Sequence, residues 1–451
     1  MQRRNKSPYA AVTKLSQVFS CTDIFFLCYC FFVIYYFKER TLFLDNAFQT
    51  FLLIQDASIE VMANRWPGIM NRILPYLATT LELKLEYILL SFSLNYFLIH
   101  LLVYGLLRKY YSNSAYLLLY PMWLGLSLHH GFFWCNSELI LALALFFVWV
   151  ACLEKKHFIQ AAGLSIALGF LHPLMISLIS FYLLLNVIDV LNLKSWKKWI
   201  PFVSFYLSFI LSQYVITNWY DQMKKEVFSE SLSQMDWTII MDAKELVTQQ
   251  FPMASILLLV AVFILFYKKH YYRLLILVFC SVFYLFLVCI PLNSNALNLH
   301  FYNEVQLYPI IVFSLLALKK IVEDLKPLWH SVTIILITFY SCFNWMQQAG
   351  FYTERIGWYE ELSNNYDRQI IGTDTIDSKY LIMSWASAYE SLIISTLNGK
   401  SRTLLITENP DRFYEISNKN YFLSEFKNYD FNKLNKRYFP LEEKSYETEG
   451  I

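Results

Sequence analysis

Three acids in this chain stand at or near the starts of apolar helical runs: Asp45 in Leu44-Asp45-Asn46, Glu138 in Asn136-Ser137-Glu138, and Glu304 in Tyr302-Asn303-Glu304. A carboxylate within hydrogen-bond reach of a hydroxyl can take its proton as that hydroxyl attacks an electrophile. A carboxylate in the same place can equally be a plain helix-start residue, since the unpaired N–H groups of a first turn favour negative charge. Residue type alone leaves both roles open. Asp56 and Glu60 follow Asp45, and Arg65 and Arg72 lie just beyond, so both charge signs gather in one stretch. His129 and His130 precede Glu138 and can ligate a metal with it, but adjacent side chains on a helix point in different directions. His172, before Pro173, is a further titratable group at a predicted corner.

The stretch from Phe43 to Glu82 carries Asp45 and both arginines and is too polar to cross a bilayer. Leu44, Ala47, Phe48, Phe51 and Leu52 recur at helical spacing, which predicts a helix lying in the membrane interface on one apolar face. After the Pro67-Gly68 break, Ile69, Ile73, Leu74 and Leu77 predict a second short helix.

The remaining elements must hold these residues at a membrane face. Of 451 residues, 57% are hydrophobic and 16% charged, a balance that excludes a soluble domain of this size. A net charge of +2 supplies no field for nucleic acid. The predicted fold is an all-α polytopic membrane bundle of about eleven transmembrane helices, with shorter spans allowed in a crowded bundle. Arg108-Lys109, Lys155-Lys156, Lys194 to Lys198, Lys268 to Arg273 and Lys319 to Lys326 alternate with loops that are less basic or balanced by acids. With a cytoplasmic N-terminus, read as an uncleaved first span behind Arg3, Arg4 and Lys6, all of these basic loops fall in the cytoplasm. Asp45, Glu138, Asp236, Glu304 and the C-terminal region then face outward, which in a bacterium is the periplasmic side of the inner membrane. A kink in one long helix at His172-Pro173, rather than a corner between two spans, would invert everything downstream.

Residues 1–343 make the predicted bundle, with interfacial helices in the first outer loop at 38–84, and 344–451 make a periplasmic region. Within that region Tyr380–Ser384 reads as a strand, Ala388–Leu397 as a helix stopped by Asn398-Gly399, and Thr403–Thr407 as a second strand. Two short strands make no stable sheet alone, so this small α/β unit is expected to lean on the bundle or on the first outer loop. The eight cysteines lack metal-ligand spacing and read as small apolar residues.

This layout resembles the GT-C superfamily, membrane glycosyltransferases that take a sugar from a polyprenyl-phosphate carrier. The likeness rests on the long first outer loop with its early acid, Leu44-Asp45-Asn46, and on the polar corner Asn136-Ser137-Glu138 before the fourth helix. The number of spans and the C-terminal periplasmic domain add to it. The aromatic richness and the Asn, Lys and Ile usage are similar to Bacteroidetes proteins. The resemblance implies transfer from a polyprenyl-phosphate-linked sugar to a glycan, lipid or protein acceptor, among membrane lipids, at the outer face of the inner membrane. Asp45 and Glu138 are then the catalytic acids, with Asp45 as the base. Arg65, Arg72, His172 and Glu304 are then the substrate-binding residues, the cationic groups stabilising the leaving phosphate. Trp66, Trp134 and Trp219 suit an interface belt or stacking against a sugar ring. The chain departs from better-known members in lacking an Asp-Asp, Asp-Glu or Asp-x-Asp pair, since Asn46 follows Asp45. A divalent metal therefore stays open as a cofactor, with no metal site marked by the sequence.

Two other classes fit the composition. A lipid-linked glycan flippase or other transporter needs a polar path through the bundle, and the spans offer mainly Asn95, His100 and Gln213. A non-catalytic scaffold subunit needs only the outer domain, and the missing second acid beside Asp45 suits it.

Overall fold

Apolar runs must satisfy their own backbone groups where water is absent, and they do so here as helices. In a computed structural model the chain is described over residues 8–59, 61–111, 115–186, 196–234, 238–290, 300–366, 368–376, 379–417, 420–441 and 446–448. Glu60 and Asp236 lie outside the described residues. The first helices are α1 (Pro8–Tyr35), α2 (Phe37–Thr41), α3 (Leu44–Asp56), α4 (Ile73–Thr80), α5 (Leu85–Tyr110) and α6 (Tyr116–Ser127). There follow α7 (Glu138–Glu154), α8 (Phe158–Leu171), α9 (Met175–Leu185), α10 (Ile200–Ile210), α11 (Trp219–Ser233) and α12 (Thr238–Glu245). The last are α13 (Pro252–Tyr267), α14 (Tyr271–Cys289), α15 (His300–Glu323), α16 (Pro327–Asn365), α17 (Ser387–Leu397) and α18 (Asp411–Ser417).

Among the described residues, Leu85–Tyr110, Tyr271–Cys289 and Tyr302–Glu323 are long and apolar enough to cross a membrane, and up to five spans result if each of two sharply bent helix pairs counts as one. Shorter apolar helices, such as Phe158–Leu171 and Met175–Leu185, fill out the body. Large apolar side chains of α13, α14 and α16, including Phe263, Phe279 and Phe339, stand exposed around it, as lipid-facing positions do.

The axis of the body is α7, buried at every residue from Leu139 to Cys152. A helix apolar on all sides belongs at the centre of a bundle. Its two acids mark the two ends, and a rise of 1.5 Å per residue puts Glu138 about 24 Å from Glu154.

At the Glu154 end, Lys156, Lys198, Arg273, Lys319 and Lys320 line one cavity. The Arg108-Lys109 turn joins them, because the Tyr111 hydroxyl meets His157 Nδ1 at 3.1 Å. The described residues of the basic loops therefore gather at one end. Phe158, which starts α8, and Asn186, just past α9, line that same cavity. The chain thus runs out along α8, turns at His172, whose backbone is extended (φ −154°, ψ 134°), and returns along α9. His172-Pro173 is a corner between two helices, and the single-kinked-helix reading does not hold.

At 39 residues, α16 is about 58 Å long and far exceeds a bilayer's hydrocarbon thickness. The change to polar composition after Phe343 falls inside this unbroken helix. Beyond it, strands β1 (Arg368–Gly372), β2 (Thr403–Thr407) and β5 (Glu447–Thr448) form a parallel sheet in the order β2-β1-β5, with Ile370 opposite Leu405. A separate antiparallel pair joins β3 (Tyr421–Phe422) to β4 (Tyr429–Asp430). The α17 helix, its stop at Gly399 (φ +81°) and β2 follow the sequence pattern. The first strand does not: Tyr380–Ser384 is irregular, with its Tyr380 carbonyl accepting from Arg355 Nε at 2.9 Å, and Arg368–Gly372 takes the place beside β2.

The apolar face of α3 also meets a different partner from the expected lipid. Phe51 is fully buried and its ring packs on Tyr389, Phe422, Tyr429 and Phe439 at centroid distances of 5.0 to 5.4 Å. Burying such a ring contributes roughly 1.5–3 kcal/mol. The C-terminal region therefore sits on the first loop. In α4, by contrast, Ile73 and Leu77 are about half exposed, as an interfacial helix requires.

Candidate functional site

Asp45 lies in the first turn of α3, and the start of that helix is fixed from two sides. Leu44 has φ +39°, in the left-handed region where a side chain costs roughly 1–2 kcal/mol. Its N–H donates to Glu390 Oε1 at 2.6 Å, and Glu390, fully buried, receives both arms of the Arg355 guanidinium at 2.6 and 2.7 Å. On the other side Asn46 donates to the carbonyls of Arg40 and Phe133 at 2.7 and 2.9 Å and accepts from the Asn136 N–H at 3.2 Å. Leu44-Asp45-Asn46 is thereby tied both to the C-terminal region and to the corner Asn136-Ser137-Glu138.

Phe43, not Asp45, occupies the cap position of α3, so Asp45 stands one residue inside the helix start. Burial pushes its pKa up from 3.8 to about 7, with the charge of Glu138 adding to the rise and Lys224 opposing it.

Glu138 opens α7, but its neighbour Ser137 supplies the cap, its Oγ accepting the Ile140 N–H at 3.4 Å. The Glu138 carboxylate is left for Arg65, whose Nη1 stands 3.6 Å from it, while Arg65 Nη2 reaches Asp221 Oδ1 at 3.3 Å. Burial works against the charge of Arg65, yet the two carboxylates outweigh it and hold the guanidinium more firmly protonated than usual. The Tyr220 ring lies 5.7 Å from the same guanidinium, and Lys224 lies 5.5 Å from that ring. Gly68 lies beside Glu138, and a Cβ there would crowd Val61 at 3.1 Å.

Arg72 is almost completely buried, and burial lowers its pKa to about 10 despite the pull of Glu138. His172 comes to the same end of the bundle: burial first, then the positive charge of Arg65, push its pKa down to about 3, so its ring is neutral. Trp66 packs on Phe170 beside it, and Trp134 lies 6.1 Å from Tyr302. Asp45, Glu138, Arg65, Arg72 and His172 therefore share one end of the bundle, opposite the basic loops.

Glu304 is placed differently. Its two oxygens accept the backbone N–H groups of His129, His130 and Gly131 at 3.0 to 3.2 Å and the Tyr308 hydroxyl, so its acceptor capacity is committed to the loop before α7. That loop needs glycine at 131, because a Cβ there would collide with Tyr308. His130 faces Tyr352 at 3.2 Å, and His129 packs against Phe251 and Tyr340. Neither histidine joins Glu138 around a common point. Among the described residues no three His, Cys, Asp or Glu side chains are grouped to hold a metal ion. The carboxylates nearest Asp45 are engaged by Arg65, so among the described residues the donor set does not fit a divalent cation.

Asp221, Tyr220 and Lys224 were not marked by the sequence reading. Asn218-x-x-Asp221 has the form of a cap, and the Asn218 Oδ1 does accept the Asp221 N–H at 2.9 Å. An acid in a first helical turn is the same signal that Asp45 and Glu138 carry.

No protein-family model, characterised protein or solved structure matches the chain. What the sequence and fold define is an α-helical protein with a few long apolar helices consistent with a multi-pass membrane protein, and a small C-terminal region carrying two short β-sheets.

Proposed function

We propose that the chain is a membrane glycosyltransferase of GT-C type, with a bundle of about eleven spans of which several are shorter than a full bilayer crossing. It would move a sugar from a polyprenyl-phosphate donor to a glycan, lipid or protein acceptor at the outer face. The observation that carries this reading is the Asp45 carboxylate: half-buried in the first turn of α3, with a pKa raised to about 7, beside the Glu138–Arg65–Asp221 group. A base with that pKa is half ionised near neutral pH, where general-base catalysis works best. The acceptor hydroxyl attacks the anomeric carbon and gives its proton to Asp45. The bond from that carbon to the carrier phosphate breaks, and the electron pair leaves with the phosphate. Arg72, a buried cation at the same end, is suited to receive the phosphate charge. Arg65 already bridges Glu138 and Asp221 and shapes the site, and neutral His172 can donate or accept a hydrogen bond there.

Transport through the bundle has less support. Asn95 is bonded to Leu74 N–H and the Met70 carbonyl, and His100 to the Tyr120 hydroxyl, so these polar groups join helices and loops. The test is transfer of radiolabelled sugar from a polyprenyl-phosphate donor by membranes containing the full chain or Asp45→Asn. Loss of transfer with intact protein supports the reading, and equal transfer by both removes Asp45 as the base.

A further inference from the structure

The end of the bundle opposite Asp45 holds a cavity of about 280 Å³ between the ends of α7, α9 and α15 and the starts of α6, α8 and α14. Five cationic side chains line it against two carboxylates, Glu154 and Glu323. Both acids are already answered within the protein. Lys319 pairs with Glu154 and, at 3.4 Å, with Glu323, and the Tyr116 hydroxyl donates to Glu154 at 2.5 Å. Arg273 donates to the Ala317 carbonyl at 3.2 Å. Lys156, Lys198 and Lys320 then face the cavity with no acid in ion-pair distance among the described residues.

Like charges drawn together around a hollow repel unless an anion offsets them. The surroundings say what kind of anion. Trp196 and Trp199 flank Lys198, and Tyr271 and Tyr272 precede Arg273, all exposed, as aromatic side chains are at the headgroup level of a bilayer. Ile159 is 84% exposed and Leu184 38% exposed, beside the cavity-lining Phe158 and Leu185, so apolar surface continues outward from the mouth. The volume suits a phosphate headgroup, with acyl chains left to lie along that apolar surface.

We propose that this cavity binds the phosphate headgroup of an anionic phospholipid, and that the basic loops form a lipid site as well as setting orientation. The site is independent of the glycosyltransferase reading, since it stands about 24 Å from Glu138 along α7.

The test uses the full chain in a neutral detergent, with dioleoyl phosphatidylglycerol, dioleoyl phosphatidylcholine and inorganic phosphate as separate probes. Native mass spectrometry counts retained lipid, and thermal unfolding reads stabilisation. Phosphatidylglycerol should stay bound and raise the unfolding temperature, phosphatidylcholine and phosphate should not, and added salt should weaken the effect. Lys156→Gln, Lys198→Gln and Lys320→Gln together should weaken phosphatidylglycerol binding by roughly a hundredfold, while the three Lys→Arg changes keep it. Equal retention of both lipids, or unchanged binding by the glutamine variant, overturns the proposal. Stabilisation by phosphate alone assigns the cavity to a free anion and overturns the lipid assignment.

Discussion

Asp45→Asn separates a functional acid from a structural one because the two roles predict opposite changes in stability. Asp45 titrates near 7 in the fold against an ordinary 3.8. A raised pKa means that the protonated form is favoured: the contribution to stability is full below about pH 4 and is lost as pH rises through 7. A shift of roughly three units corresponds to ~4 kcal/mol of destabilisation once the group is ionised. Asparagine has the same size and carries no charge, so at pH 8 the variant should be more stable by up to that amount, falling to ~2 kcal/mol at pH 5 and vanishing below pH 4. Turnover should meanwhile fall by roughly a hundredfold or more, because the proton acceptor is gone. The assay pairs thermal unfolding of purified protein between pH 4 and 8 with sugar transfer or glycan assembly in cells lacking the wild-type copy. Were Asp45 a helix-start residue that its helix relies on, the asparagine variant would be no more stable at pH 8 and fully active. Either of those results refutes the reasoning.

Arg355→Met should destabilise by about 3–5 kcal/mol, since it leaves Glu390 buried and unpaired, and adding Glu390→Leu should recover much of that loss in denaturant unfolding. Gly131→Ala should cost about 1–3 kcal/mol by driving Tyr308 off Glu304, measured as a lower unfolding midpoint with the transfer activity of the folded fraction read alongside. His172 is held neutral with a pKa of about 3, so stability is full above its ordinary 6.5 and falls as pH drops toward 3; His172→Gln should flatten that slope in the same pH series. Phe51→Ala should cost about 3–5 kcal/mol and loosen the C-terminal region first, seen as faster amide exchange in α17 and β2 than in α7.

By itself the sequence determined the helical, membrane-type body, since runs this apolar can satisfy their backbone only as helices. It also determined which loops share an end: the lysine and arginine alternation reappears as one basic cavity, with Asp45, Glu138 and Arg65 at the far end. Local stop signals such as Asn398-Gly399 were readable for the same reason, being set by short-range geometry. Tertiary structure decided the rest. An amphipathic face reports that something apolar covers it but not what, and only the fold shows that Phe51 meets Phe422 and Phe439 rather than lipid. A strand reading Arg-Gln-Ile-Ile-Gly carries too little alternation to be found before its parallel partner Thr403–Thr407 is in place. The three helix-start acids looked alike in sequence because a first turn attracts any carboxylate. Their fates depend on which groups arrive from elsewhere in the chain: three backbone N–H groups and Tyr308 for Glu304, Arg65 for Glu138, and the opposing charges of Glu138 and Lys224 for Asp45.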